Sequence, residues 1–271
     1  RCEVWTSVQN PAAAQAGVAK LLGLEPARVK VNVLLLGGGF GRKSKPDYVA
    51  EAAIVAKTMP GKPVKLVWTR EDDLRHDYLH TVSVEHLEAV VGADGKPRSW
   101  LHRTAAPSIA SLFVVGGKGQ LPVETGMTAI NIPFDIPNVR IEGAEVDAHA
   151  RIGWFRSVSN IPHAFAVQCF VAELAHRAGR DHKAYALDLI GPPRRIDPTT
   201  LSDGWNYTES PQRYPIDTGR MRGVIEAATG GAGWGRSLPK RRGLGMAWAY
   251  SFLSYTACVV EVTVDAGGDV K

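Results

Sequence analysis

Nine residues constrain this chain more than any average over its 271: Leu36-Gly37-Gly38-Gly39-Phe40-Gly41-Arg42-Lys43-Ser44. Glycines on both sides of a lone aromatic let the backbone come close to a ligand and turn successive N–H groups toward an anion. Before them, residues 29–36 are apolar with β-branched Val29, Val31 and Val33, which predicts a strand. After them, Val49, Ala52, Ala53 and Ala56 recur at helical spacing, which predicts a helix from about 46 to 57. Two common ligand loops fail here by one residue. A dinucleotide fingerprint starting at Gly37 needs glycine at 42, and the phosphate loop G-x-x-x-x-G-K-[ST] fits Gly37, Lys43 and Ser44 but meets Arg42 at its last glycine. Pro46 also intrudes where that loop's helix would propagate. A plain turn is the alternative that asks least of the sequence.

The other elements follow from local signals. Asn10-Pro11 predicts a helix start and Gly23 its end. Residues 64–68 read as a strand. Ala93-Asp94-Gly95 predicts a hairpin between strands at 81–91 and 97–104. Thr69 before Glu71-Asp72-Asp73 predicts a capped short helix rather than a carboxylate site. Residues 107–138 read as irregular loops, 139–146 as a strand, 162–177 as a long helix and 181–190 as a shorter one. Residues 191–215 read as an exposed connection, 218–229 as a helix, and 242–250 and 256–265 as strands. Strands and helices mix without strict alternation, which predicts an α+β fold with mixed sheets and packed helices. A division into 1–143, with the glycine loop, and 144–271, with the long helix and the final strands, follows from this order.

Composition removes several functions. Three cysteines (Cys2, Cys169, Cys258) with no C-x-x-C pair cannot hold an iron–sulfur cluster or a cysteine-rich zinc site. Cys169 and Cys258 fall in apolar runs and are expected in the core. A net charge of +5 with short basic clusters at Arg194-Arg195 and Lys240-Arg241-Arg242 offers no extended positive surface, which argues against nucleic acid. No apolar run is long enough to span a bilayer. His76 and His80 imitate a zinc pair, but alternation from Thr81 leaves no sustained helix to carry it, so no metal ligand is assigned. The chain opens on a strand-like Arg1-Cys2-Glu3-Val4 and closes with a turn and return at Asp265-Ala266-Gly267-Gly268. Both ends are expected to be interruptions of a longer polypeptide.

Gln9-Asn10-Pro11, the glycine run and Trp154-Phe155-Arg156-Ser157-Val158 together resemble the molybdenum-binding subunit of the xanthine dehydrogenase/aldehyde oxidase family, in the isoquinoline 1-oxidoreductase beta branch. Trp68-Thr69-Arg70-Glu71-Asp72, Asn160-Ile161-Pro162-His163-Ala164-Phe165 and Gly243-Leu244-Gly245-Met246-Ala247 support the likeness, which runs through the whole chain. The resemblance implies a molybdenum cofactor-binding domain, truncated at both ends. It implies a molybdenum–pterin cofactor, in bacterial members usually the cytosine dinucleotide, and oxidative hydroxylation of an N-heterocycle or aldehyde by water. Electrons would pass to a small partner subunit with two [2Fe-2S] clusters.

By the family pattern, Gln9 donates to a molybdenum oxo ligand, and the backbone around Gly38, Gly39, Phe40, Gly41 and Arg42 approaches the cofactor. Arg156 would polarise a small-molecule substrate. The catalytic base, a glutamate near the C-terminus of the full subunit, is absent from this chain. Ser44 replaces a substrate-binding glutamate of xanthine dehydrogenases, and Ala186 stands near an arginine of many relatives. Two other readings stand beside this one: a nucleotide hydrolase using residues 37–44, and a non-catalytic module of the same fold.

Overall fold

The computed structural model describes residues 1–113, 116–201 and 205–271. The irregular stretch expected at 107–138 and the connection expected at 191–215 include residues 114–115 and 202–204, which lie outside the described residues. The chain forms two compact units: Arg1–His80 with Ala148–Arg156, and Thr81–Asp147 with Ser157–Lys271. This division differs from a cut at 143/144 because a short parallel pairing, Leu79↔Ile152 and His80↔Gly153, draws the later segment back to the first unit.

In the first unit, β1 (Cys2–Thr6) runs parallel to β2 (Val29–Val33), and α1 (Pro11–Leu22) is the crossover between them. Asn10 Oδ1 accepts from Ala13 N–H at 3.0 Å, Pro11 opens the helix, and Gly23 ends it at φ +68°. Then α2 (Asp47–Lys57) packs on α1 through Ala14, Val18, Val49 and Ala53, whose small side chains let the helices approach closely. The predicted strand at 29–36 stops at Val33 and leaves Leu35 exposed, and residues 64–68 form no strand. Beyond Val33, Leu34 N–H still donates to Thr6 O at 3.0 Å, but β1 ends there and the ladder goes no further; apolar character alone does not hold an extended backbone. Next, α3 (Arg70–His76) has the predicted cap: Thr69 Oγ1 accepts from Asp72 N–H while Asp72 Oδ2 accepts from Thr69 N–H, each at 3.1 Å. The unit is completed by β3 (Leu79–His80) and its partner Ile152–Gly153.

In the second unit, β4 (Val84–Val91) and β5 (Pro97–Ala105) form the predicted hairpin, with Gly95 at φ +78°. Parallel to β5 lies β6 (Asn138–Ala144). The irregular stretch before it contains α4 (Pro122–Thr125), whose Glu124 is buried and accepts from Ser108 Oγ, Ile109 N–H and Leu121 N–H. With Ile152–Gly153 as β7, the long helix α5 (Asn160–Arg177) follows and buries His163, Val167, Val171 and Leu174, a 3.6-residue stripe. Beside it, α6 (His182–Ile190) is capped by Asp181.

Short β8 (Arg195–Ile196) and β9 (Ile216–Asp217) pair before α7 (Thr218–Gly231). A ten-residue hairpin of β10 (Arg242–Ser251) and β11 (Ser254–Thr263) packs on α7, and Val264 bridges Val270 across the final turn. Trp100, buried beneath the edges of Phe134 and Phe170, anchors the β4–β5–β6 layer.

One expectation about the core is corrected. Cys169 and Cys258 are both exposed. They face an apolar groove shared by α5 and the β10–β11 hairpin, which Phe165 also lines. The apolar residues of α5 exceed one stripe, and only the 163–167–171 face is covered. Among the described residues, no helix is long and apolar enough to cross a membrane.

Candidate functional site

The glycine loop leaves β2 and ends in a short 3-10 turn, Arg42–Ser44, ahead of α2. Gly37 and Gly41 hold φ of +72° and +82°, and Phe40, unusually for an aromatic, +48°. Among the described residues, the N–H groups of Gly39, Phe40, Gly41 and Arg42 have no hydrogen-bond acceptor. Four consecutive donors therefore remain for something outside the chain. A side chain at Gly39 would meet Gln9, since its Cβ would lie 2.4 Å from Gln9 Cδ. At Gly41 a Cβ would lie 2.9 Å from Trp154 Cδ1 and 3.4 Å from the Phe155 carbonyl carbon. Close approach and a positive φ require glycine at Gly41, whereas a side chain at Gly39 would displace the exposed Gln9 amide from the loop.

Gln9 is brought there by two backbone ties. Its N–H donates to Lys43 O at 2.9 Å, and Tyr48 on α2 donates its hydroxyl to Ser7 O at 2.7 Å. The Gln9 side chain is exposed, and its amide makes no hydrogen bond among the described residues. The loop and the amide thus form one cradle of unsatisfied N–H donors lined by absent side chains.

The cradle is braced from behind. Arg42 forks onto Asp47 (2.8 and 2.9 Å) and also binds Asp77 through Nε, so its guanidinium is committed and only its backbone N–H is left for a ligand. Lys45 is 8% exposed, and its Nζ has no hydrogen-bond partner. The ammonium sits 3.8 Å from the centre of the Trp154 ring and 4.9 Å from that of Tyr78. Burial, seconded by the charge of Arg42, pushes Lys45 down to about 8, with Asp47 and Asp77 pulling the other way. The indole of Trp154 thus contacts both the Lys45 ammonium, over its ring, and the backbone at Gly41, near Cδ1.

Of the residues picked from sequence, Gln9, Gly38, Gly39, Phe40, Gly41 and Arg42 meet in this cradle. Phe40 is 66% exposed, with its ring folded over Gly38. The backbone before Arg156 reaches the loop through Trp154 and Phe155, while the Arg156 side chain is exposed. Ser44 turns its hydroxyl back to Gly41 O, and Ala186 is fully buried in α6. The bracing set of Lys45, Asp47, Asp77, Tyr78 and Trp154 was not picked as a site. Its members lie far apart in sequence, and only the aromatic Trp154, already part of a quoted segment, signalled a contact.

His76 ends α3 and His80 lies in β3 stacked on Phe155, so the two do not share a helix face. Among the described residues no group of three or more His, Cys, Asp or Glu is arranged to hold a metal ion. The donor set is amide N–H throughout, which suits oxygen ligands or phosphate and not a bare cation. An anionic pterin–metal group with oxygen ligands therefore fits the residues present.

Comparison with known proteins agrees with this chemistry. A molybdopterin cofactor-binding domain matches residues 1–185. The chain is 28% identical to a nicotinate dehydrogenase subunit of Pseudomonas putida, over 97% of this chain and 22% of that protein. It is 29% identical to the beta subunit of isoquinoline 1-oxidoreductase of Brevundimonas diminuta, over 66% and 23% respectively. It is also 29% identical to a membrane-bound aldehyde dehydrogenase [pyrroloquinoline-quinone] of Gluconacetobacter polyoxogenes, over 92% and 32%. The chain thus spans between a fifth and a third of the length of these relatives. The fold matches that of the aldehyde oxidoreductase of Desulfovibrio gigas, with a TM-score of 0.66 at 19% identity over 99% of this chain and 29% of that one. It also matches quinoline 2-oxidoreductase of Pseudomonas putida 86, with a TM-score of 0.67 at 17% identity over 99% and 36%. With two thirds of its length inside that domain, the chain belongs to the molybdopterin cofactor-binding domain family.

Proposed function

We propose that residues 37–42 and Gln9 hold the molybdenum end of a pterin cofactor in a hydroxylase large subunit. What supports this reading most is the run of four backbone N–H groups, Gly39 to Arg42, with no acceptor in the described chain. Fixed dipoles of this kind stabilise charge without reorganising, as in an oxyanion hole. Gln9 Nε2 adds a side-chain donor, and Lys45 keeps Trp154 pressed under Gly41 so that the N–H groups stay aimed and water is kept out from below. The exposed Arg156 is free to pair with a polar substrate group. The cofactor, when bound, supplies oxidative hydroxylation of an N-heterocycle or aldehyde by water. The cytosine dinucleotide form of the pterin, and a small subunit with two [2Fe-2S] clusters as electron acceptor, complete the proposal.

The proton acceptor implied for such chemistry is not among these residues. The 271-residue chain alone is expected to give no turnover, since a positioned base contributes about 10²- to 10⁴-fold. Measured hydroxylation by the isolated chain would contradict this.

The test is cofactor retention in the whole subunit. Gly39→Val should lower bound molybdenum and pterin together by about tenfold or more, with the circular dichroism of the fold retained. Unchanged retention, or a subunit that carries a quinone and no molybdenum, would overturn the reading. The second outcome matters because one relative is named for pyrroloquinoline quinone.

A further inference from the structure

A cavity of about 180 Å³ in the second unit lies outside residues 1–185 and takes no part in the cradle. Its lining brings together Arg195 of β8, Arg213, Arg220 of α7, Asp217, Tyr250 of β10 and Tyr255 of β11. The lining thus carries three arginines and a single carboxylate. That carboxylate is already engaged, since Asp217 Oδ1 accepts from Arg220 N–H at 3.0 Å as the cap of α7. Among the described residues, none of the three arginines forms an ion pair. Arg213 and Arg220 lie over the rings of Tyr214 and Tyr255, at 5.1 and 4.7 Å from the ring centres. Such stacking occupies the guanidinium face and leaves its N–H edge for a ligand.

A second observation comes from the wall. Tyr250 is 4% exposed, and its hydroxyl has no hydrogen-bond partner. Burial, with Tyr255 and Tyr207 nearby, pushes its phenol well up, so the group stays a neutral O–H donor. Tyr255 is different: its oxygen accepts from Asp217 N–H at 2.6 Å, and its hydroxyl donates to Pro215 O at 3.4 Å. A buried hydroxyl without an acceptor, in a cavity edged by unpaired guanidinium groups, lacks an oxyanion. The space is sufficient for a phosphate-sized group.

We propose that this cavity binds the phosphate group of a small molecule, either inorganic phosphate or a short phosphate monoester. Arg195, Arg213 and Arg220 would donate from the rim and the Tyr250 hydroxyl from the wall, while the tyrosine rings bound the space available to any organic part.

The test is calorimetric titration of the full chain with inorganic phosphate and with glycerol phosphate, at constant ionic strength set with chloride. Saturable binding of either is expected. Inorganic phosphate binding more tightly would identify the free anion as ligand, and glycerol phosphate binding more tightly the ester. Arg213→Gln with Arg220→Gln should weaken binding by about tenfold or more, consistent with loss of charge-assisted hydrogen bonds. Tyr250→Phe should weaken it several-fold while leaving the ligand-free melting temperature unchanged or higher. Its retained fold keeps the proposal testable if the double variant does not fold. Absence of saturation, heats equal to those of added chloride, or unchanged affinity in Tyr250→Phe would overturn the proposal.

Discussion

Lys45 in the first unit and Glu85 in the second are both ionisable side chains withdrawn from water, and their surroundings are opposite. Glu85 is paired: His102 Nε2 donates to Oε2 at 2.7 Å and Thr104 Oγ1 to Oε1 at 3.1 Å. His163 stands 4.0 Å from Oε1, with Nδ1 donating to Met127 O at 2.7 Å. His102 Nδ1 has no partner, yet the carboxylate itself is served from two sides. Among the described residues, Lys45 Nζ has aromatic faces and no hydrogen-bond acceptor, with Asp47 and Asp77 acting from further away. The network in the second unit joins β4, β5 and α5 and has the character of a structural core. The lysine sits beside a glycine loop whose own N–H groups also lack acceptors among the described residues. A buried ammonium and a run of free N–H groups thus stand together at the cradle, an arrangement a fold tolerates when a ligand completes the site.

The largest test of this contrast is Glu85→Ala. Removing one side of a buried charge network should cost the second unit about 3–5 kcal/mol, read by denaturant unfolding. A loss below about 1 kcal/mol would mean that the network is not structural.

Acid should act on the same region. Burial holds the His163 ring below its ordinary 6.5, against Met127 O and Glu85. The unfolded chain therefore takes a proton near 6.5 that the folded chain refuses, and stability falls as pH drops below that value. Burial raises Glu85, but hydrogen bonds from His102 and Ser83 and the charges of His163 and His102 outweigh it and bring the net value below 4.5. Its contribution is present above 4.5 and is lost as pH falls through the folded value. Both groups thus predict acid unfolding, and a melting temperature flat from pH 7 to 4 would contradict them.

A smaller effect is expected at the cradle. Gly39→Ala should destabilise the first unit by less than about 1 kcal/mol, since the exposed Gln9 side chain can swing aside, while lowering cofactor retention by moving its amide. Gln9→Ala in the same chain should recover most of that loss without restoring cofactor retention. Failure of the second change to rescue would show that the clash lies elsewhere.

No loss of stability is expected from Lys45→Met, which if anything stabilises the fold at neutral pH. Its signature is in pH. Between about 8 and 10.5 the unfolded chain keeps a proton that folded Lys45 releases, so wild-type stability rises with pH across that window. The variant should lose this rise. An unchanged slope would assign it to another group.

Much of the fold was legible because its signals are local. Asn10-Pro11 and Gly23 bounded α1, Thr69 with Asp72 capped α3, and Ala93-Asp94-Gly95 turned the β4–β5 hairpin. Residues 34–36 and 64–68 were misread because a strand needs a partner that the segment itself does not announce. Cys169 and Cys258 were misplaced for a related reason: an apolar pattern marks a face that could be covered, not one that is. The glycine loop of the candidate site was readable from spacing, and Gln9 from resemblance. Asp77, Tyr78 and Trp154 were not, since their contacts with Arg42 and Lys45 exist only after the chain returns on itself.

That return has a consequence for how the protein is made. During synthesis, Gly37 to Gly41 emerge long before Trp154, which becomes their floor. The loop must wait while the residues that build the β4–β5–β6 layer are added, and closure of so long a span carries an entropic cost that grows only slowly with length. Its pairing of Leu79 with Ile152 is a non-local parallel contact, the kind that forms late. A nascent chain thus displays the exposed ring of Phe40 and the uncovered Leu35 before the cradle can exist. The cradle is thereby complete only after translation of the segment around residue 154.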